Sequence, residues 1–340
     1  MKNFIKEYIR KEKAFFTKKK EINSYFQPVL FKKLKLNIYA FKKKEILAYA
    51  DMHQINRYNN NINNGGINFF KKKELDLKKK IENFIKKDFE EKIDIKDSFS
   101  RSVISYRFIK KRFNKVSILE IGPGSGYLGI LLKNDNYNYS SFEITRPHFI
   151  FQNYIFNRIF KKQSPISIIK KTNLNKVKKR GFHLPWWEIS NINKYLKINR
   201  PKVIIFNHCI NEMHEEALNY FCKIIKSLKN NPVIFIEGFG SEILNSTNKT
   251  LIKLASNDIK IFYHKPIKKY NIAKTLSIPI TLLSAQNNNS KIIFFNYSGL
   301  FSKFGFKKIV EFFLNFYQIK FDFYKWKIFF LDFLIIDKTK

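Results

Sequence analysis

From residue 116 to residue 237 the sequence alternates short strand-like runs with longer helix-like stretches, and no other feature constrains the fold as much. VSILEI (116–121), YSSFEI (139–144), PISIIK (165–170), KVIIF (202–206) and PVIFIE (232–237) read as strands, being short, apolar and rich in β-branched and aromatic residues. Between them YLGILLKN (127–134), PHFIFQNYIFNRIF (147–160) and EMHEEALNYFCKIIKSLK (212–229) read as helices. In the last of these, apolar residues recur at 213, 217, 221, 224 and 228, the spacing of one helix face. A parallel pair of strands needs a crossover, and a helical crossover covers a face of the sheet. The expectation is therefore an α/β fold, Rossmann-like, with a mainly parallel sheet and helices on both faces. IKIFY, KIIFF and KIFFLDFLII, in the last hundred residues, are expected to complete that sheet, the last strand running antiparallel.

Residues 1–98 have a different character: Lys-rich and helical, broken by RYNNNINNGG (57–66), whose Asn and Gly content marks a linker or lid. They are expected to form an N-terminal extension to a domain spanning 99–340, which a helix at DSFSRSVISYRFIKKRF (97–113) would open. The formal charge of +38 invites a nucleic-acid partner. However, the basic residues are 56 lysines and only nine arginines, and it is the forked guanidinium that reads bases and phosphates best. A generally basic surface with no specific nucleic-acid partner is expected. Cys209 and Cys222 make no disulfide or zinc framework, the charged N-terminus lacks the apolar core of a secretory signal, and the longest greasy run, Trp326 to Ile335, is interrupted by Lys327 and Asp332. A cytoplasmic protein without a transmembrane segment follows as the expectation.

The first strand runs into EIGPGSGYLG (120–129), a turn almost without side chains. Glycine at such a turn serves a left-handed backbone or a ligand pressed against the main chain. In open α/β sheets ligands bind beyond the carboxyl ends of the strands, and the glycine turn, Glu143, Asn207 and Glu237 all fall at such ends. The dinucleotide fingerprint is not met, because its third glycine position holds Tyr127 and a glycine sits one residue early at 126. A P-loop is not met either, for want of Gly-Lys-Ser/Thr.

What stands here, E-x-G-x-G-x-G after a strand, resembles motif I of the class I S-adenosylmethionine-dependent methyltransferases. The resemblance implies that Glu120, Gly122, Gly124 and Gly126 form the turn on which the cofactor's methionine part lies. It also implies that Glu143, seventeen residues after Gly126, accepts hydrogen bonds from the ribose hydroxyls. Together with FEITRPHFIFQNYIFN, HLPWWEI, FNHCINEMHEEAL and FIEGFG, residues 116–240 resemble bacterial sugar O-methyltransferases. By position, Asn207 would join the cofactor site and the stretch from Asn207 to Glu212 would face the methyl group. His208 is then the first candidate for the base that takes the acceptor's proton, and Glu212 for base or orienting partner. Spaced i, i+4 at a helix start, the two would share one face.

HLPWWEI (183–189) is expected as a loop between the third and fourth strands. Its His183, Trp186 and Trp187 would form the acceptor site, with at least one indole partly exposed to stack on a sugar ring. His183, His208, Glu212 and Glu237 offer an alternative set for a divalent metal, but their spacing is diagnostic of none and no metal is assigned. The expected activity is transfer of a methyl group from S-adenosyl-L-methionine to a hydroxyl of a sugar, glycan or nucleotide-sugar acceptor. An RNA or ribosomal methyltransferase and a non-catalytic cofactor-binding protein of the same fold are the alternatives.

Overall fold

Apolar residues at three- and four-residue spacing roll the N-terminal region into helices, as the sequence predicts. The computed structural model describes residues 2–16, 37–50, 70–169, 172–230 and 232–237, short pieces at 249–250, 253–254 and 257, and strands at 260–264, 280–284, 292–296, 325–329 and 333–337. The expected lid loop at 57–66 lies outside the described residues. The chain divides into two units, residues 1–27 with 31–201 and residues 28–30 with 202–340.

The first unit carries, in chain order, α1 (Lys2–Phe16), α2 (Lys43–Leu47), α3 (Lys72–Phe89), α4 (Lys96–Arg112), β1 (Ser117–Ile121), α5 (Tyr127–Asn134), β2 (Asn138–Glu143), α6 (Arg146–Phe160), β3 (Ile166–Ser167), α7 (Leu174–Arg180), β4 (Phe182–Pro185) and α8 (Ile192–Asn199). Its strands lie in the order β3-β4-β2-β1 and every pair is parallel. Buried side chains line β1 and β2 on both faces, as befits strands covered by helices on both sides. α3 buries Leu77, Ile81, Ile85 and Phe89 at a strict four-residue spacing and turns Lys72, Lys73, Lys79, Lys80, Lys86 and Lys87 outward. The buried Glu74 carboxylate of α3 receives a two-pronged bond from Arg107 of α4.

One segment differs from the sequence expectation. Phe182–Pro185 is not loop but strand: it pairs with β2 through Ser141↔His183 and Glu143↔Pro185, and with β3 through Ser167↔His183. Proline at its end, where no further ladder bond is required, stops the strand. Trp186–Asn191 then coils into a 3₁₀ turn.

The same region holds α1 in place. Glu12 of α1 is fully buried and accepts from Arg146 Nε at 2.8 Å, from a second Arg146 nitrogen, and from Trp186 Nε1 at 2.9 Å. Arg146 stands three residues beyond β2 and Trp186 one residue beyond β4, so the clamp ties α1 to the carboxyl ends of two neighbouring strands. Tyr8 of α1 meets Trp187 edge-on, with ring centroids 4.6 Å apart.

The second unit contains β5 (Val203–Asn207), α9 (Glu215–Ser227), β6 (Val233–Glu237), β7 (Lys260–His264), β8 (Ile280–Ser284), β9 (Ile292–Asn296), β10 (Lys325–Phe329) and β11 (Phe333–Asp337). β5 and β6 are parallel, and β8 lies between β6 and β7, antiparallel to both. The expected antiparallel strand is therefore β8. The runs KIIFF and KIFFLDFLII do not complete this sheet. They form β9, β10 and β11, a separate three-stranded antiparallel sheet in the order β10-β11-β9. The long run splits into two strands because it pairs with itself, Lys327 opposite Ile335. The architecture is α/β and Rossmann-like: every pair among β1 to β4 is parallel, β5 and β6 are parallel to each other, and β7 and β8 add antiparallel pairs. Among the described residues no helix is long and apolar enough to cross a membrane.

Candidate functional site

In the first unit the carboxyl ends of β1, β2 and β4 are aligned by register: Ile121 faces Phe142 and Glu143 faces Pro185. Gly122 N extends the ladder one step past β1 by donating to Phe142 O at 2.9 Å. There the chain turns with positive φ at Gly122, Gly124 and Gly126 (66°, 59° and 78°), values that other residues adopt only at a cost. Gly126 N closes the turn on Pro123 O at 3.0 Å, and α5 starts at Tyr127. A Cβ at Gly124 would meet nothing within 4 Å, so this stretch of backbone lies against open space. A Cβ at Gly126 would stand 2.8 Å from Gln152 Cγ. Two glycines of one motif thus face different surroundings, Gly124 open space and Gly126 a side chain of α6.

Glu143 ends β2 beside this turn, as expected from the sequence, and is 2% exposed. Its Oε1 accepts from Thr145 N at 2.8 Å and Thr145 Oγ1 at 3.0 Å, and its Oε2 accepts from Gln152 Nε2 at 3.1 Å. Burial disfavours the charged form and pushes the carboxyl up to about 7, against the pull of these hydrogen bonds. A carboxylate held this way has unused lone pairs and gains from any further donor that approaches it. Thr145 Oγ1 also contacts His148 Nδ1 at 2.9 Å, and the His148 ring meets Tyr49 edge-on at 5.0 Å. The residues after α2 close over the turn: Ser125 Oγ donates to Tyr49 O at 3.1 Å and Tyr127 hydroxyl to Ala50 O at 2.6 Å.

The other expected residues of this unit are more deeply placed. Glu120 is buried and its Oε2 accepts from the Tyr139 hydroxyl at 2.6 Å. His183 lies in the next row of the sheet, sandwiched on Phe149 with centroids 4.1 Å apart, and its Nδ1 is 2.7 Å from Asn153 Nδ2. Burial brings its imidazole down to about 3, so the ring is neutral. Trp186 and Trp187 are 4% and 1% exposed, which corrects the expectation of a partly exposed indole. The reason is α1: Glu12 takes the Trp186 N–H, and Tyr8 and Phe15 pack on Trp187.

In the second unit, Asn207 is the last residue of β5 and faces Glu237 of β6 in register. Asn207, His208 and Glu212 are each half-buried. His208 turns the chain with φ 52°, Ile210–Glu212 makes one 3₁₀ turn, and α9 starts only at Glu215. This corrects the expected shared helix face: with a left-handed residue between strand and turn, i, i+4 spacing carries no helical meaning. Buried Asn211 pins the loop by accepting from Thr250 Oγ1 at 2.6 Å. Among the described residues no group of three or more His, Cys, Asp and Glu is gathered as a metal site would need.

Thr145, His148, Gln152 and Arg146 were not singled out from the sequence. Their only signal was position, within one helical turn or two after a strand-end acid.

No protein-family model matches the chain, and no curated protein matches it. Solved structures do resemble it. Magnesium protoporphyrin IX methyltransferase from Synechocystis PCC 6803 with bound SAM is 10% identical, over 61% of this chain and 96% of that one, with a TM-score of 0.35. Ribosomal protein L11 methylase from Lactobacillus delbrueckii subsp. bulgaricus is 11% identical over 58% and 81%, with a TM-score of 0.33. The bifunctional kinase-methyltransferase WbdD is 10% identical over 72% and 61%, with a TM-score of 0.36. All three are methyltransferases, but likenesses this distant carry no argument about activity or acceptor. The fold rests on the chain's own strand order.

Proposed function

We propose that this chain is a class I methyltransferase that uses S-adenosyl-L-methionine and methylates a hydroxyl of a sugar, glycan or nucleotide-sugar acceptor. The observation that carries the cofactor reading is the pairing of an open, side-chain-free backbone at Gly124 with the Glu143 carboxylate at the end of the neighbouring parallel strand. A nucleoside with an amino-acid tail needs both: a backbone it can approach closely and an acid that accepts two ribose hydroxyls. Gly122, Gly124 and Gly126 with Glu143 would hold it, while Glu120 supports the floor through Tyr139. Asn207 is proposed as a cofactor contact on the resemblance of residues 116–240. When bound, the cofactor supplies an already activated methyl group.

The remaining work is alignment of the acceptor oxygen, exclusion of water and removal of one proton. His208 is the base in this proposal, and Glu212 its orienting partner or replacement. Both lie in the loop that follows β5, a strand-end position where the left-handed turn at His208 takes the chain off the sheet. The sugar acceptor is supported by the resemblance of residues 116–240. With both indoles covered by α1, His183, Trp186 and Trp187 serve that acceptor only if α1 moves, and otherwise they shape the floor behind it. Residues 1–98 are read as the helical cover of a catalytic domain at 99–340, an arrangement that the Glu12–Arg146 clamp supports. The cytoplasm is the proposed compartment, in keeping with two free cysteines. A turnover screen with the methyl donor against sugar nucleotides, oligosaccharides and RNA tests the whole reading. Methylation of RNA alone would replace the acceptor, and binding without any turnover would leave a cofactor-binding protein.

A further inference from the structure

Gln152 lies in the middle of α6 and is fully buried. Its Nε2 donates to Gly124 O and to Glu143 Oε2. Both partners are acceptors, so the amide has one orientation and both its hydrogens are spent. Its Oε1 is buried and has no hydrogen-bond partner. Buried acceptors left unpaired are rare in native folds and call for a reason. The route of the side chain is equally specific. Gly126 admits it, since any Cβ there would press on Gln152 Cγ at 2.8 Å and Cδ at 3.4 Å.

We propose that Gln152 is a positioning residue of the ligand site: its amide locks the open backbone of the glycine turn to the strand-end acid. The inference rests on the reading of the glycine turn and Glu143 as the cofactor site. It gives the motif's last glycine a purpose distinct from the others. Gly124 is bare for the ligand, whereas Gly126 is bare for Gln152. Gly122 N already ties the start of the turn to β2 at Phe142, and Gln152 extends that tie to Gly124 and to the carboxylate itself. A neutral amide suits the task, because it donates to a carbonyl and a carboxylate at once and adds no charge. A carboxylate accepting such a bond is also favoured over its acid form.

The groups that bear on Glu143 are Thr145 and, beyond it, His148 on α6, Tyr139 on β2 with Glu120 behind it, and Tyr8 on α1 next to the Glu12–Arg146 pair. Burial raises both tyrosines and lowers His148 to about 3, so these three stay neutral between pH 6 and 9. The test is calorimetric binding of S-adenosylhomocysteine over that range, with carboxyl NMR titration of Glu143 in the ligand-free protein. Wild type, Gln152→Met and Gln152→Glu are compared, and melting curves confirm that each is folded. In Gln152→Met, affinity is expected to fall at least about tenfold, because the turn and the acid lose the tie that pre-organises them for the ligand, and the Glu143 midpoint to rise. Gln152→Glu keeps the shape but sets one carboxyl against another, so it should bind more weakly still at pH 8. Wild-type affinity and an unmoved Glu143 midpoint in either folded variant would overturn the inference and leave Gln152 a packing residue. Absence of binding by the wild type would instead refute the reading of the site, and with it the role given to Gln152.

Discussion

Replacing Glu12 with alanine removes one carboxylate and strips partners from two buried groups at once. The Arg146 side chain is 10% exposed and would keep the Tyr39 carbonyl but no counter-charge. Breaking a buried ion pair from one side costs about 3–5 kcal/mol. The Trp186 N–H, 2.9 Å from Glu12 in the wild type, would also lose this acceptor, and losing a buried hydrogen-bond partner costs about 1–3 kcal/mol. The two losses share one carboxylate and do not add in full, so about 4 kcal/mol is expected. That is a large part of the roughly 5–15 kcal/mol by which domains are stable. Urea denaturation with linear extrapolation measures it, with near-ultraviolet dichroism reporting on the indoles. A double variant, Glu12→Met with Arg146→Met, should recover much of the loss, because apolar replacement of a buried pair is often neutral or stabilising. If Glu12→Ala costs less than about 1 kcal/mol, α1 is not clamped to the strand ends and the covered indoles need another explanation.

Other perturbations probe separate links. Gly129→Ala would place a Cβ 2.2 Å from Tyr139 Cζ, in a ring that also stacks on Phe156 and bonds Glu120. Overpacking of about 1–3 kcal/mol plus damage to that bond should lower the urea midpoint clearly, and an unchanged midpoint would mean that the ring can step aside. Glu143 is raised in the folded state from 4.5 to about 7. Its contribution to ligand-free stability is therefore fully present below about pH 4.5 and lost as pH rises through 7, on the order of 3 kcal/mol. Relative to Glu143→Gln, wild type should lose that much between pH 4.5 and 8, and a pH-independent difference between the two would show that the carboxyl is not desolvated. His208→Ala should lower turnover by about 10²–10⁴-fold with cofactor affinity nearly intact. Loss of folding would make His208 structural, and loss of turnover in Glu212→Gln alone would move the base. RNA binding should be weak, unselective and steep in salt, and a selective complex at physiological salt would favour an RNA acceptor.

Local pattern made the centre of the fold legible. α5 starts where YLGILLKN reads as the beginning of a helix, and Glu143 stands at the end of β2 beside the glycine turn because strand, turn and helix are all coded within neighbouring residues. What the sequence hid was mostly long-range. Glu12 and Arg146 are 134 positions apart, and nothing local about either marks a partner. At least one indole was read as partly exposed because the helix that covers both, α1, lies far earlier in the chain, Glu12 standing 174 residues before Trp186. HLP read as loop since proline and histidine are poor strand signals, yet two flanking strands impose pairing on it. The run at 327–336 reads as one strand-like stretch with Asp332 as its sole break after Lys327, so it did not announce that it folds back on itself. Around His208 the failure was conformational: one left-handed residue breaks the helical spacing between His208 and Glu212. Gln152 was invisible because glutamine in an apolar helix has no signature until the turn beneath it is seen.

The central claim is that Gly124 and Glu143 form the seat of S-adenosyl-L-methionine, and isothermal calorimetry of the purified chain against that ligand, with NAD as competitor, tests it most directly. The account predicts saturable binding at one site, unaffected by NAD. It also predicts at least tenfold weaker binding in Glu143→Ala, from the loss of one or two charge-assisted hydrogen bonds of about 1.5–3 kcal/mol each. Tighter binding of NAD, or unchanged affinity for the methyl donor in Glu143→Ala, would contradict it.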